Sequence, residues 1–316
     1  MEYRRLGKSG LQVSELGFGG HQTGGYRKGK FEVPLQERAR IIERSLELGV
    51  TYFDTTTGLE AASLSSAFSL LGGKPDHVTV ACMYTDYKLN HEIVEGIEDK
   101  VRQSIDDNLR HFDPIDVFNL CGNGFRYCRE RTVRALDALQ EARARGKVRH
   151  FGFSTHVMQY ALEMIGHHPE FALLMLPFNR VLPRIADKLF PLLLERDVAL
   201  VGMKVFGARG FFDLGIDPGA YGPGLSVPVA AIRWVLQHEA VACTIPAMNS
   251  MAELEENASA PGTPLGAREA ALLDDLCTAF EARVRTDPKW YFHRDWTRRL
   301  YGEDEVPAEF VPGSFD

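Results

Sequence analysis

The chain has 316 residues, of which 45% are hydrophobic and 25% are charged, a composition typical of a globular protein with a large buried core. Its net charge of −7 argues against a general attraction to nucleic acid or to an anionic membrane surface, so neither is an expected partner. The chain is charged within its first five residues and contains no run of about 18 apolar residues, so we predict neither a signal peptide nor a transmembrane helix.

The five cysteines are irregularly spaced and include no C-x-x-C pair. This pattern favours neither a disulfide framework nor a zinc site, and it is typical of a protein in a reducing compartment. We therefore expect a cytoplasmic protein that binds no metal.

Apolar runs of strand length alternate along the chain with amphipathic segments of helical length. The stretch YRRLGKSGLQVSEL indicates a hairpin with its turn between Gly7 and Gly10. Strands are then predicted at 16–20, 51–54, 78–82, 115–120, 148–154, 172–176, 198–203 and 241–245. Helices are predicted near 36–48, 60–71, 92–111, 130–145, 156–166, 184–196, 226–238 and 265–285.

Eight strands that are each followed by a helix are the pattern of an α/β fold of the (β/α)8 TIM barrel type. A doubly wound sheet is the competitor, but GFGGHQTGG does not match G-x-G-x-x-G and opens no immediate helix. We expect one domain, with a hairpin at 1–15, a barrel at 16–285 and a C-terminal tail at 286–316. In such a barrel the functional side chains lie at the C-terminal ends of the strands.

Motifs at these strand ends resemble those of the aldo-keto reductases over nearly the whole chain. They are YRRLGKSGLQVSELGFGG, GVTYFDT, GKVRHFGFSTH, VGMKVFGARG and IPAMNSMAELEEN, in the family's order and at its spacings. The resemblance implies a hairpin that plugs the barrel floor, a nicotinamide cofactor extended across the mouth, and a C-terminal segment over the pocket.

The family's chemistry uses a tyrosine as proton donor, a lysine that lowers the tyrosine's pKa, an aspartate that pairs with the lysine, and a histidine that orients the substrate. Placed on this sequence by the resemblance, only the aspartate is present, as Asp54. The tyrosine position falls on Leu59, the lysine position on Met83 and the histidine position on Cys121. We therefore predict a retained scaffold whose usual proton-transfer groups are replaced.

Four side chains near strand ends are candidate replacements. Tyr84 follows the vacated lysine position and either reaches the pocket or packs elsewhere. His21 and His156 follow the first and fifth strands, and each is either an acid or base near neutral pH or a hydrogen-bonded loop histidine. Cys121 becomes a nucleophile only if a cation lowers its pKa, and the sequence shows no such cation.

The resemblance also implies that the cofactor contacts are partly kept. Ser154 matches a serine that contacts the carboxamide, whereas Met175 stands where the family has a glutamine. The backbone of Phe206–Gly210 is expected to surround the pyrophosphate, with Lys204 or Arg209 adding positive charge. The predicted cofactor residues are Ser154, Thr155, Asn179, Lys204, Phe206, Gly207, Arg209, Asn249, Ser250, Glu256 and Asn257.

The choice between NAD and NADP depends on the segment after the last strand. Ala247 and Glu253 occupy the positions where, by the resemblance, the family has basic residues that recognise the 2′-phosphate of NADP. A carboxylate at this point repels that phosphate, so NAD is favoured over NADP if a dinucleotide binds.

The substrate pocket is expected to combine vacated positions with the aromatic tail. Its predicted residues are Leu59, Met83, Cys121, Asn123, Trp290, Tyr291 and Trp296. The tail aromatics either form a wall for a ring or apolar ligand or pack against the barrel or a second subunit.

Three functions remain open. The first is an enzyme with a rebuilt site that performs an elimination, isomerisation, cyclisation or unusual redox step on a small biosynthetic intermediate, with or without nicotinamide. The second is an ordinary NAD(P)H-dependent carbonyl reductase with a substitute proton donor. The third is a non-catalytic protein that senses a nucleotide or metabolite. Fold alone does not decide among them.

Overall fold

A computed structural model of the chain describes residues 1–20, 31–85, 95–121 and 129–287. Within these ranges the strands are β1 (Tyr3–Arg5), β2 (Gln12–Ser14), β3 (Tyr52–Asp54), β4 (Thr79–Tyr84), β5 (Ile115–Cys121), β6 (Val148–Ser154), β7 (Phe171–Pro177), β8 (Ala199–Met203) and β9 (Val241–Thr244). The α-helices are α1 (Leu35–Glu47), α2 (Gly58–Leu70), α3 (Ile97–Leu109), α4 (Arg129–Ala144), α5 (Met158–His167), α6 (Arg184–Glu195), α7 (Gly210–Asp213), α8 (Val227–Leu236), α9 (Met251–Ala258) and α10 (Ala267–Thr286).

The strands β3 to β9 form one parallel sheet in which each strand pairs with the next along the chain. The segment before α1 closes this sheet, because Leu16 bridges Thr244 of β9 and Phe18 bridges Phe53 of β3. Eight parallel segments therefore surround one axis, and the predicted (β/α)8 barrel is confirmed.

The N-terminal hairpin closes the floor of the barrel, as expected. Strands β1 and β2 pair antiparallel, and Leu6 and Val13 are fully buried in the barrel interior. Gly7 has a φ of 52°, and a Cβ atom there would lie 2.2 Å from the carbonyl oxygen of Ala172. Only glycine fits this close approach of the turn to the barrel wall.

Side chains of the barrel strands alternate between two apolar layers, because successive residues of a strand point to opposite faces. On β4, Met83 belongs to the interior cluster and Tyr84 packs against the outer layer beneath the helices. This strand extends beyond the predicted 78–82, because Met83 and Tyr84 continue the ladder opposite Asn119 and Leu120 of β5.

Two helices, α7 and α9, were not among the predicted segments. Helix α9 begins where the Ser250 hydroxyl accepts a hydrogen bond from the Glu253 amide, which is an N-cap arrangement. The sequence contains this capping serine and a short stretch with helical spacing of apolar residues, so a helix was predictable at this position. Among the described helices, none is long and apolar enough to span a membrane.

Candidate active site at the barrel mouth

Asp54 ends strand β3 at the mouth of the barrel. Its neighbour Tyr52 faces the interior and Phe53 faces the outer layer, so alternation places Asp54 on the interior side. Only 3% of the residue is exposed, and its buried Oδ1 has no hydrogen-bond partner among the described atoms. Burial, and then the negative charge of Glu60, raises the pKa of Asp54 well above its ordinary value. The structure therefore favours a protonated carboxyl group here.

The positions that resemblance assigns to the tyrosine and the lysine differ in their surroundings. Met83 is 6% exposed and lies in the barrel interior, two residues beyond Ala81, which pairs with Asp54. Leu59 is the second residue of α2 and is 54% exposed. An apolar thioether therefore faces the interior beside Asp54, whereas the Leu59 side chain meets solvent.

A phenol lies inside the barrel at a position that sequence reasoning did not consider. Tyr52 is fully buried on the same face of β3 as Asp54, and its hydroxyl has no well-aligned hydrogen bond in the described structure. Burial, with smaller contributions from the charges of Asp54 and Cys243, raises the pKa of Tyr52, although the Asn119 amide opposes the rise. Tyr52 is therefore less acidic than an ordinary tyrosine, the opposite of what a phenolic proton donor requires.

The Asn119 amide occupies the barrel interior next to a glycine. A Cβ atom on Gly152 would lie 1.8 Å from Asn119 Oδ1, so glycine leaves the room that this side chain fills. Both polar atoms of the Asn119 amide are buried without a hydrogen-bond partner among the described residues. Together with Asp54, the amide places polar groups inside an otherwise apolar barrel.

Lys204 and Cys121 meet at the mouth, although they lie far apart in the sequence. Cys121 ends β5, Lys204 directly follows β8, and the two groups are close enough to interact electrostatically. Burial lowers the pKa of Lys204 to about 8, and the Cys121 thiol opposes this change. Lys204 is therefore a cation close to Cys121, which the sequence alone did not reveal. Both residues stand at the C-terminal ends of barrel strands, and the closed barrel brings them together.

The loop from Lys204 to Arg209 holds an unusual backbone. Lys204, Ala208 and Arg209 have φ angles of 56°, 52° and 75°, a region that side-chain-bearing residues rarely adopt. The Asn179 amide braces this loop, because Nδ2 donates a 3.0 Å hydrogen bond to the Lys204 carbonyl and Oδ1 accepts one from Val181. Strained backbone of this kind is concentrated at functional sites.

Relief of this strain gives a stability prediction. We expect Ala208→Gly to raise the free energy of unfolding by up to about 1 kcal/mol, because the left-handed conformation costs an alanine roughly 1–2 kcal/mol and the added unfolded-state entropy returns part of that gain. The matched control is Ala62→Gly within α2, which should lower stability by about 1 kcal/mol. Urea denaturation of both variants measures the difference, and equal losses at the two positions would contradict the strained loop.

The remaining predicted cofactor residues lie in packed surroundings. Ser154 and Thr155 are buried at the end of β6, and Thr155 Oγ1 accepts a hydrogen bond from the Val157 amide. Phe206 stacks edge-to-face on Phe212 with ring centroids 5.2 Å apart. Gly207 has a φ of 58°, which glycine adopts without strain.

The N-terminus of α9 is occupied by its own side chains. Glu253 Oε2 accepts a 2.7 Å hydrogen bond from the Asn249 amide, and the Ser250 hydroxyl caps the helix. Glu256 accepts a 2.7 Å hydrogen bond from the Ser226 hydroxyl, and Asn257 is buried. A carboxylate thus already fills the positive end of this helix.

Two further acid–base candidates are described. His156 is half-buried in the turn between β6 and α5, at the mouth. Tyr84 packs against the outer layer rather than the interior cluster that holds Met83, although both residues line a cleft of about 490 Å³ along α3. The structure therefore does not bring Tyr84 onto the interior face with Asp54. His21, Asn123, Trp290, Tyr291 and Trp296 lie outside the described residues.

Some of the residues that would hold the nicotinamide cofactor implied by the resemblance are present at the mouth, and others are not. The loop after β8 exposes one guanidinium, Arg209, and Ser154 is present at the end of β6, whereas Gly207 is buried and its amide donates a 3.0 Å hydrogen bond to the Lys204 carbonyl. Met175 is buried in the interior cluster and cannot supply the amide contact of the family's glutamine. Arg209 is therefore the exposed donor of this loop for a pyrophosphate, and the donors for a carboxamide are reduced.

Comparison with known proteins supports this reading of the barrel. The Aldo/keto reductase family model matches residues 15–222. The aldo-keto reductase AKR11C1 from Bacillus halodurans superposes in its holo form with a TM-score of 0.70 at 24% identity, covering 87% of this chain and 96% of that one. Its apo form gives a TM-score of 0.66 at 22% identity with the same coverage, and identities this low show the fold alone.

One curated relative is L-galactose dehydrogenase from Arabidopsis thaliana, which is 25% identical over 177 residues. The match covers 52% of this chain and 53% of that protein, so the chain spans about half the length of this relative. The matched family model covers more than half of the chain and includes the ends of β3 to β8, which indicates an oxidoreductase-like enzyme of the kind that uses a nicotinamide nucleotide. The chain belongs to the aldo/keto reductase family.

Proposed function

We propose that this chain is a nicotinamide-dependent oxidoreductase that interconverts a small carbonyl compound and its alcohol, with a proton source other than a tyrosine. One observation carries the proposal: Asp54 is buried with an unpartnered Oδ1 beside Met83, so the aspartate lacks the lysine that the family pairs with it. The scaffold for a redox reaction is present, and burial without that lysine raises the pKa of its retained carboxyl group.

Asp54 has the properties of a general acid. A carboxyl group whose pKa is raised by burial keeps its proton to a higher pH than an ordinary aspartate and can release it to a developing alkoxide. In the family this role falls to a phenol made acidic by its lysine, whereas Tyr52 has a raised pKa and is a poor donor. Of these two groups on the interior face of β3, Asp54 is therefore the better proton donor.

The cofactor we propose is NAD. When bound, it supplies or accepts the hydride. Arg209 and the strained loop after β8 would hold the pyrophosphate, and Ser154 would contact the carboxamide. The Glu253 carboxylate at the N-terminus of α9 disfavours the 2′-phosphate of NADP by charge repulsion.

The test is a single-turnover reaction with NADH that carries deuterium on the transferred position. Small aldehydes, aldoses and L-galactose are suitable probes, the last because of the name of the curated relative. We expect deuterium in the alcohol product, and we expect Asp54→Asn to lower kcat by about 10²- to 10⁴-fold with little change in the Kd for NADH. The matched control, Asp213→Asn on the surface of α7, should behave like the wild-type protein.

Two outcomes would contradict the proposal. Binding of NADH without turnover of any probe would favour the sensing function. Full activity of Asp54→Asn would show that another group supplies the proton.

A second candidate is a proton transfer without net redox change, such as an isomerisation or elimination. It is favoured by one observation, that Asp54 is shifted toward its neutral acid form while Lys204 is shifted toward its neutral base form. Pairs with such opposed shifts are typical of acid–base sites. This function predicts exchange of substrate C–H hydrogen with solvent deuterium in the absence of nucleotide, which the oxidoreductase does not.

A further inference from the structure

A cavity of about 320 Å³ lies at the floor of the barrel, at the opposite end from Asp54. The hairpin turn after β1, the last turn of α4, the first half of β6 and the connection from α5 to β7 form its walls. This floor cavity is lined by Lys8, Arg143, His150, Phe151, Pro169 and Glu170. Its volume lies at the lower end of the range for small-molecule sites, so it suits a small ligand.

The Arg143 guanidinium reaches the floor cavity without a carboxylate partner. Its carbon atom lies over the Phe151 ring, 4.7 Å from the ring centroid. The next guanidinium along the chain, that of Arg145, pairs with Glu141 at 2.6 Å, whereas no carboxylate of the described residues pairs with Arg143. A guanidinium that stacks on a ring keeps its N–H edges available, and these can bind two oxygens of an anion at once.

Two further donors line the same space. The Lys8 ammonium donates a 3.0 Å hydrogen bond to the Pro169 carbonyl, which holds it at the cavity wall, and an ammonium has two more N–H groups to donate. His150 is half-buried, and burial lowers the pKa of its imidazole, so the ring is neutral at pH 7 and adds an uncharged N–H donor. Donors from a turn, a helix and a strand therefore converge on one cavity.

The carboxylates near these donors offset only part of their charge. Glu170 accepts a 3.1 Å hydrogen bond from Gln140 through Oε1, and its Oε2 is buried in the cavity wall. Asp197, which also acts electrostatically on the Lys8 ammonium, is already paired with Arg5 through two 2.7 Å hydrogen bonds. Two cationic side chains therefore line the floor cavity with one carboxylate, which leaves it a positive charge in a chain whose net charge is −7.

We propose that the floor cavity binds a small phosphomonoester, with the phosphate group held by Arg143, Lys8 and His150. A guanidinium and an ammonium together recognise a dianionic phosphate more strongly than a singly charged carboxylate. The volume of about 320 Å³ corresponds to about ten water molecules at roughly 30 Å³ each, which leaves room beside the phosphate for a few carbon atoms. This site is separate from the barrel mouth, so failure of this proposal leaves the proposed oxidoreductase unaffected.

Calorimetric titration of the wild-type chain without nucleotide tests the proposal. The probe is propyl phosphate at pH 7.5, where a phosphomonoester is close to a dianion, in a buffer of low ionic strength because salt screens exposed charges. We expect one saturable site that binds propyl phosphate about tenfold more tightly than propionate, and no binding of propanol.

Matched variants locate the site. Arg143→Gln and Lys8→Gln should each weaken binding of propyl phosphate roughly 10- to 100-fold, because each removes a hydrogen bond from a charged donor. Glu170→Gln should tighten binding, because it removes a negative charge from the cavity wall. Lys188→Gln on the exposed surface of α6 and Arg209→Gln at the mouth each remove one positive charge and should leave binding unchanged.

Two kinds of result would overturn the proposal. The first is the absence of saturable binding, or propionate that binds as tightly as propyl phosphate. The second is binding that Arg209→Gln removes and Arg143→Gln leaves intact, which would place the anion at the mouth.

Discussion

Asp54→Asn should be more stable than the wild-type chain at pH 8, and its advantage should disappear as the pH falls toward 4. Because burial raises the pKa of Asp54 in the folded state, the folded chain keeps its proton while the unfolded chain releases it near pH 3.9. The stability that the protonated form contributes is complete below that pH and is lost as the pH rises through the folded-state pKa. Asparagine does not titrate, so the variant escapes this loss.

The size of the effect follows from proton linkage. Between the unfolded and folded pKa values, the stability difference between the two proteins should grow by roughly 1.4 kcal/mol for each pH unit. Denaturant titrations of both proteins at several pH values measure this difference in stability. The other titrating groups contribute equally to both proteins and cancel. Asp213→Asn, on the exposed surface of α7, should stay within about 0.5 kcal/mol of the wild type throughout. A carboxylate already ionised at pH 5 would give parallel curves for Asp54→Asn and would contradict this account.

Met83→Lys should favour the ionised form of Asp54 instead of the protonated form. Position 83 on β4 lies diagonally across from Asp54 on β3, on the interior face, and such diagonal positions are about 7–8 Å apart. A lysine side chain spans this distance, so the introduced ammonium would reach the Asp54 carboxyl group. An opposite charge at that distance favours the ionised carboxylate and lowers its pKa. The pair would resemble the aspartate–lysine pair that the family uses.

A double-mutant cycle makes this prediction sharp. In the Met83→Lys background, Asp54→Asn leaves a buried cation without its partner and should cost about 3–5 kcal/mol at pH 7. In the wild-type background the same substitution should be stabilising. Met83→Leu is the matched control and should leave the effect of Asp54→Asn unchanged. Equal effects of Asp54→Asn in both backgrounds would show that positions 54 and 83 do not interact.

The barrel could be predicted from the sequence because its signals are local. Strand-length apolar runs, the amphipathic helices and the Gly7–Gly10 turn each depend on neighbouring residues, and the structure contains them with ends shifted by a few residues. Helix α9 was missed although its cap at Ser250 was present. The position of Asp54 at a strand end was also predictable, because β3 ends at that residue.

The chemistry of the mouth was less predictable because it depends on contacts between distant strands. The sequence could not decide whether Met83 or Tyr84 faces the interior, since alternation fixes only that they face opposite sides. The meeting of Lys204 with Cys121 requires the closed barrel. Burial, which sequence position does not reveal, sets the direction of the pKa shift at both Asp54 and Lys204.

The protonation state of Asp54 at pH 7 tests the central claim most directly. An infrared difference spectrum between the wild-type chain and Asp54→Asn isolates the vibrations of this one carboxyl group. We predict the carbonyl stretch of a protonated acid, lost in the variant and kept to a higher pH than in an ordinary aspartate. The paired bands of an ionised carboxylate at pH 7 would contradict the account, because they would show that Asp54 is charged like an ordinary aspartate.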